Sequence, residues 1–161
     1  MTTSDAVADH PLLARLYHTI LTAFVQDGQA PHYIVLSKWL ALPPEETRQL
    51  LHRLADLGLP IWLHPDTDLL ASFAPFSNVP TQYRISVDGD QRWYGQCGLE
   101  SLAVSWLFPG QEIRIDCPCL DCGEPIQVRM RDGVLLGIDP PSVVGHVNLP
   151  LRHWRDRWPV T

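Results

Sequence analysis

The sequence predicts an α+β fold in two parts: three helices with a small hairpin, then an antiparallel sheet interrupted by one further helix. Three observations carry that prediction. Apolar residues recur at intervals of three and four in the first third of the chain and once more near residue 100, the spacing that buries one face of a helix. Elsewhere, short alternating runs are punctuated by turn pairs such as Asp88-Gly89 and Asp132-Gly133, the pattern of antiparallel strands. The stretch 74–81, with Pro75 and Pro80, separates the two patterns and reads as a linker.

In the first part, residues 1–75, a helix is expected over 8–26, with Leu12, Leu13, Leu16, Ile20, Leu21 and Phe24 on its apolar face and Asp27-Gly28 as its stop. A shorter apolar run over 33–40 ends at Ala41-Leu42-Pro43-Pro44. Residues 45–57 resume helical spacing through Leu50, Leu51, Leu54 and Leu57, and Gly58 closes the segment. Strands at 60–63 and 69–73 flank the turn-like His64-Pro65-Asp66-Thr67-Asp68. Three helices and a hairpin make a winged helix-turn-helix-like module. Its third helix offers Glu45, Glu46, Arg48, His52, Arg53 and Asp56, a nearly neutral set, so a structural role is favoured over DNA binding, which draws on a basic excess.

In the second part, residues 76–161, strands are expected at 82–87, 91–94, 112–117, 125–130 and 134–138. A helix over 97–107 would bury Leu99, Leu102, Ala103 and Trp106, and Phe108-Pro109-Gly110 closes it.

The composition fits this picture. At 161 residues the chain can bury a true core as one compact unit or two small ones. Eighteen acidic against twelve basic residues give a net charge of −6, which disfavours a nucleic-acid surface. Eleven of the twelve cations are arginine, Lys38 being the exception. Fifteen prolines, about twice the average share, imply short elements and defined loops. No apolar run reaches membrane-spanning length, and the start Met1-Thr2-Thr3-Ser4-Asp5 shows no secretory pattern, so a cytoplasmic location is expected. In that reducing setting Cys97, Cys117, Cys119 and Cys122 read as thiols, metal ligands or nucleophiles rather than disulfides.

Two cysteine features carry candidate chemistry. In Cys97-Gly98-Leu99-Glu100, at the expected start of a helix, the helix N-terminus should favour the thiolate. Glu100, three residues on, shares its face. A soft thiolate beside a carboxylate suits capture of a soft metal and delivery of a proton, although a solitary helical cysteine is most often a small buried hydrophobe. In Cys117-Pro118-Cys119-Leu120-Asp121-Cys122-Gly123, the pair Cys119 and Cys122 has the spacing of a zinc-ribbon knuckle. Structural zinc wants four ligands, so Cys117 and either Cys97 or His146 would have to complete the site. A tight turn with packed thiols is the plainer alternative. Further along, His146 and Asn148 fit a loop, and the basic–aromatic cluster from Arg152 to Trp158 fits a terminal packing surface or an anion site.

The order of these segments resembles the organomercurial (alkylmercury) lyase family. The resemblance rests on Pro80-Thr81-Gln82-Tyr83-Arg84-Ile85, then Trp93-Tyr94-Gly95-Gln96-Cys97-Gly98-Leu99-Glu100, then Leu107-Phe108-Pro109-Gly110, and finally the cysteine segment through Gly123-Glu124-Pro125-Ile126, covering roughly residues 76–135. It implies an alkylmercury-lyase-like domain over 76–161 in which two cysteines and an aspartate break a carbon–mercury bond. Cys97 matches the first family cysteine. Glu100 stands at the aspartate position, and its extra methylene shifts the carboxyl by about an ångström, which matters to a positioned proton transfer. The family's second catalytic cysteine lies downstream, whereas no cysteine follows Cys122 here. Three alternatives stay open: that cysteine is lost, the sequence stops short of it, or Cys117, Cys119 or Cys122 replaces it as an accessory thiol, a structural role being the other use of those three.

The resemblance further implies an organomercurial substrate, no resident cofactor, a small-molecule thiol as acceptor and a mercuric reductase as a partner for the released ion. Bound zinc, a non-catalytic metal-binding or metal-sensing role, and a lyase-like enzyme redirected to another small molecule stay open from the sequence.

Overall fold

A computed structural model of the chain describes residues 11–146. The chain divides between Phe73 and Ala74 into two compact units.

In the first unit, α1 (Pro11–Asp27) buries Leu13, Leu16, Ile20, Ala23 and Phe24. Leu12 and Leu21 lie at the edge of that stripe and are only partly covered. The turn expected at residues 8–10 lies outside the described residues. Gly28, at φ +79, ends the helix and donates to the Phe24 carbonyl at 2.9 Å. The short helix α2 (Tyr33–Leu40) is capped by His32, whose Nδ1 accepts from the Ile34 N–H at 3.2 Å. It stops at Ala41 in the left-handed region, where Leu42 N–H reaches the Ser37 carbonyl at 3.0 Å. Pro44 then occupies the first turn of α3 (Pro44–Asp56), a position where its missing N–H costs nothing.

Helix α3 buries Thr47, Leu50, Leu51 and Leu54. Its polar face is tied up locally: Arg48 pairs with Glu45 at 2.8 Å, and His52 with Asp68 at 2.6 Å. Strands β1 (Ile61–Leu63) and β2 (Leu70–Phe73) pair antiparallel, Ile61 opposite Phe73. The fully buried Phe73 ring sits 4.8 Å from Tyr17 and 6.3 Å from Phe24, which pins the hairpin to α1.

The second unit is built on an antiparallel sheet of six strands: β3 (Phe76–Ser77), β4 (Arg84–Val87), β5 (Asp90–Gly95), β6 (Ile113–Pro118), β7 (Pro125–Arg131) and β8 (Val134–Asp139). Their spatial order is β3-β5-β4-β6-β7-β8. The tight turns are made as the sequence predicts, with Asp88 and Gly89, and again Asp132 and Gly133, all at positive φ. Phe76, Ile85, Trp93, Val104, Phe108, Ile113 and Ile115 form its core, and Trp93 meets Phe108 edge-on at 5.1 Å.

Two expectations need correction. The stretch read as a linker contains β3: Phe76 lies opposite Gly95 and is fully buried, and the Pro75 carbonyl accepts from Gln96 N–H at 2.9 Å. Two prolines signalled a loop, yet a large aromatic with a burial site available overrides that signal. The helix expected over 97–107 is a six-residue α-helix, α4 (Gly98–Ala103), that tightens into a 3₁₀ turn (Val104–Trp106). Its buried side is Ser101, Val104 and Ser105, while Leu99 is 58% and Trp106 69% exposed. The reason is proximity to the sheet. A Cβ built on Gly95 would lie 1.8 Å from Ser101 Oγ, so only small side chains fit between α4 and β5.

Candidate active site

Strand β5 ends at Gly95, and the chain turns through Gln96 into α4, placing Cys97 at the helix cap in extended conformation. The turn is fixed from three sides. Gly95 N–H donates to the Tyr83 carbonyl at 2.9 Å, Thr81 Oγ1 donates to the Gly95 carbonyl at 2.7 Å, and Thr81 Oγ1 accepts from Tyr83 N–H at 3.2 Å. On the helix side, the Cys97 carbonyl accepts from both Ser101 N–H at 3.0 Å and Ser101 Oγ at 2.7 Å. Cys97 Sγ accepts from the Glu100 N–H at 3.4 Å. A Cβ on Gly98 would stand 3.2–3.4 Å from the far end of the Tyr83 ring. Tyr83 therefore covers this turn. Sequence reasoning gave it no role, because only the close approach at a glycine reveals it.

Cys97 and Glu100 are brought together. The Glu100 N–H on the Cys97 sulfur sets the carboxyl group beside the thiol, and each shifts the other's pKa. The expectation that the helix start would favour a Cys97 thiolate does not hold. Burial of the sulfur pushes its pKa up to about 11; the Glu100 charge and the thiol–carboxylate bond add to the rise, and backbone N–H groups of Glu100 and Leu99 oppose it without prevailing. A helix of six residues supplies little of the dipole that the expectation relied on. Burial also raises the Glu100 pKa, partly offset by the Cys97 hydrogen bond. The pair is thus a protonated thiol beside a carboxyl group that is more easily kept protonated than an exposed glutamate.

The other cysteines stand elsewhere in the sheet. Cys117 lies on β6 opposite Ile126, its pKa raised by burial and by the neighbouring Asp116 charge. Cys119 and Cys122 share the turn that follows β6. Cys119 N–H donates to the Glu124 carbonyl at 2.7 Å, and Gly123 N–H, at positive φ, donates to the Cys119 carbonyl at 2.9 Å. The Cys119 pKa is lowered, chiefly by the backbone N–H groups of Cys122 and Asp121 and then by the Cys122 thiol.

The structure does not gather Cys97, Cys117, Cys119 and Cys122 into one centre. Among the described residues, no three His, Cys, Asp or Glu side chains stand where they could hold a metal ion. A tetrahedral zinc site therefore lacks half its donors at the Cys119–Cys122 turn. His146 is exposed, and Asn148 and the cluster from Arg152 to Trp158 lie outside the described residues. Among the described residues, no helix is long and apolar enough to cross a membrane.

A family model described as alkylmercury lyase matches residues 76–159, just over half of the chain. Alkylmercury lyases of Bacillus cereus and Clostridium butyricum are each 31% identical over 72 residues, 45% of this chain and 32% of theirs. The matched stretch thus spans about a third of those relatives. Among solved structures, the mercury-bound form of MerB2 shares the fold at a TM-score of 0.64 and 22% identity, over 87% of this chain and 66% of that one. With Cys97 at the cap of α4 and Glu100 in its first turn, both inside the matched region, the chain belongs to the alkylmercury lyase family.

Proposed function

We propose that the chain cleaves the carbon–mercury bond of an organomercurial R–Hg–X, with Cys97 capturing the metal and Glu100 carrying the proton. The observation that carries this reading is the placement of Cys97 at the cap of α4 with the Glu100 N–H on its sulfur at 3.4 Å, which sets the carboxyl group beside the thiol in a chain of this family. Mercury bonds the Cys97 sulfur, X⁻ departs, and the thiol proton passes to Glu100. A second thiolate then adds to mercury and weakens the Hg–C bond. Glu100 returns the proton to the carbon, R–H leaves, and Hg(II) remains held by two sulfurs. Burial suits Glu100 to this cycle, because an acid with a raised pKa stays protonated until the carbon needs the proton.

The second sulfur is assigned to an external small thiol. In support, no third Cys, His, Asp or Glu among the described residues joins Cys97 and Glu100 as a metal-binding group. The same thiol, or a mercuric reductase, would carry the ion away. The glutamate side chain is one methylene longer than the family's aspartate, and the residue's own N–H lies on the Cys97 sulfur at 3.4 Å. The three helices and hairpin of the first unit are read as a winged-helix-like module, and the free cysteines fit a reducing, cytoplasmic setting.

The test is turnover of phenylmercury under excess small thiol, followed as benzene release, with Cys97→Ser and Glu100→Gln in parallel. Release by the parent and loss in both variants is expected. Undiminished release by Cys97→Ser would end the assignment of Cys97. Absence of release from the parent, with one Hg(II) retained per chain, would favour non-catalytic metal binding.

A further inference from the structure

The turn between β6 and β7 carries two sulfurs that the proposed reaction leaves unused. Backbone hydrogen bonds close it at both ends, from Cys119 N–H to Glu124 and from Gly123 N–H to Cys119, with Gly123 supplying the positive φ. Within this frame Cys119 and Cys122, three residues apart, stand on one short turn that the two backbone bonds hold closed. Cys122 is exposed, and the neighbouring Leu120 is 75% exposed, so the turn opens to solvent.

We propose that Cys119 and Cys122 form a second soft-metal site that holds one Hg(II) between their two sulfurs. The ion replaces both thiol protons, Hg²⁺ + 2 RSH giving RS–Hg–SR + 2 H⁺, with no change of oxidation state. Two donors satisfy a thiophilic ion that accepts linear coordination, whereas Zn(II) wants four, and among the described residues no third ligand joins the pair. The choice of Hg(II) rests on the proposed lyase reaction, which releases that ion; the two-sulfur site itself does not.

The experiment uses the full chain with Cys97→Ser and Cys117→Ser, which leaves Cys119 and Cys122 as its thiols. One equivalent of mercuric chloride is added, the protein is challenged with excess glutathione, and retained mercury and titratable thiols are counted. One Hg(II) per chain with both thiols masked is expected. Adding Cys122→Ser should cut retention roughly tenfold or more, because a chelating second sulfur acts at high effective concentration. Equal retention with and without Cys122, or complete stripping by glutathione in both, overturns the proposal. If Cys117→Ser disturbs the fold by circular dichroism, Cys97→Ser is compared instead with Cys97→Ser/Cys119→Ser/Cys122→Ser, and the same outcomes apply. Benzene release by the parent is read separately, so failure of the lyase reading is distinguishable from failure of this site.

Discussion

Replacing Gly95 by alanine tests whether the close contact between β5 and α4 holds the candidate site in place. The new Cβ would meet Ser101 Oγ at 1.8 Å and Ser101 Cβ at 3.0 Å. Ser101 is fully buried, and its hydroxyl donates to the Cys97 carbonyl at 2.7 Å. Turning the hydroxyl away forfeits that hydrogen bond, at about 1 kcal/mol. The remaining overlap with Ser101 Cβ is overpacking, about 1–3 kcal/mol. The expected destabilisation is therefore about 2–4 kcal/mol by urea unfolding, together with a fall in phenylmercury turnover as α4 shifts and carries Cys97 and Glu100 with it. Ser101→Gly removes the obstructing atoms, so the double variant should lose less than the two single losses added, by about 1–3 kcal/mol. A Gly95→Ala protein as stable as the parent, or strictly additive losses, would refute the argument.

Glu100→Gln should gain stability relative to the parent above pH 4.5. Glu100's folded pKa lies above that ordinary value, so the parent's native state is favoured below it and loses ground as pH rises through the raised value. Unfolding curves for both proteins check this, and parallel curves from pH 3 to 7 would count against it. In alkylation with iodoacetamide at about pH 8, Cys119 should react first and Cys97 last, because a thiol with pKa about 11 is only about one part in a thousand thiolate there; peptide mapping showing the reverse order would contradict the assigned environments. Gly133→Ala should cost about 1–3 kcal/mol in thermal unfolding, since φ is +79 and the new Cβ would sit 2.1 Å from Trp106 Nε1. An unchanged midpoint would mean that the turn does not bear on Trp106.

The sequence by itself determined the elements whose signals are local. Leu13, Leu16, Ile20 and Phe24 mark α1 by spacing alone, and Asp88-Gly89 and Asp132-Gly133 mark their turns because both residues of each pair tolerate positive φ. It also singled out Cys97 and Glu100 as partners, since three residues along a helix start return a side chain to the same face.

Tertiary structure decided what depends on neighbours distant in sequence. Phe76 became a strand residue because Gly95 and the core offered it a place, despite the prolines around it. The buried side of α4 went to Ser101, Val104 and Ser105 rather than Leu99 and Trp106, because the gap to Gly95 admits only small groups. The protonation of Cys97 was decided in the same way. A helix start favours a thiolate only while water or fixed donors can stabilise the charge, and burial between β5 and α4 beside a carboxyl group outweighs the few N–H groups that a six-residue helix provides.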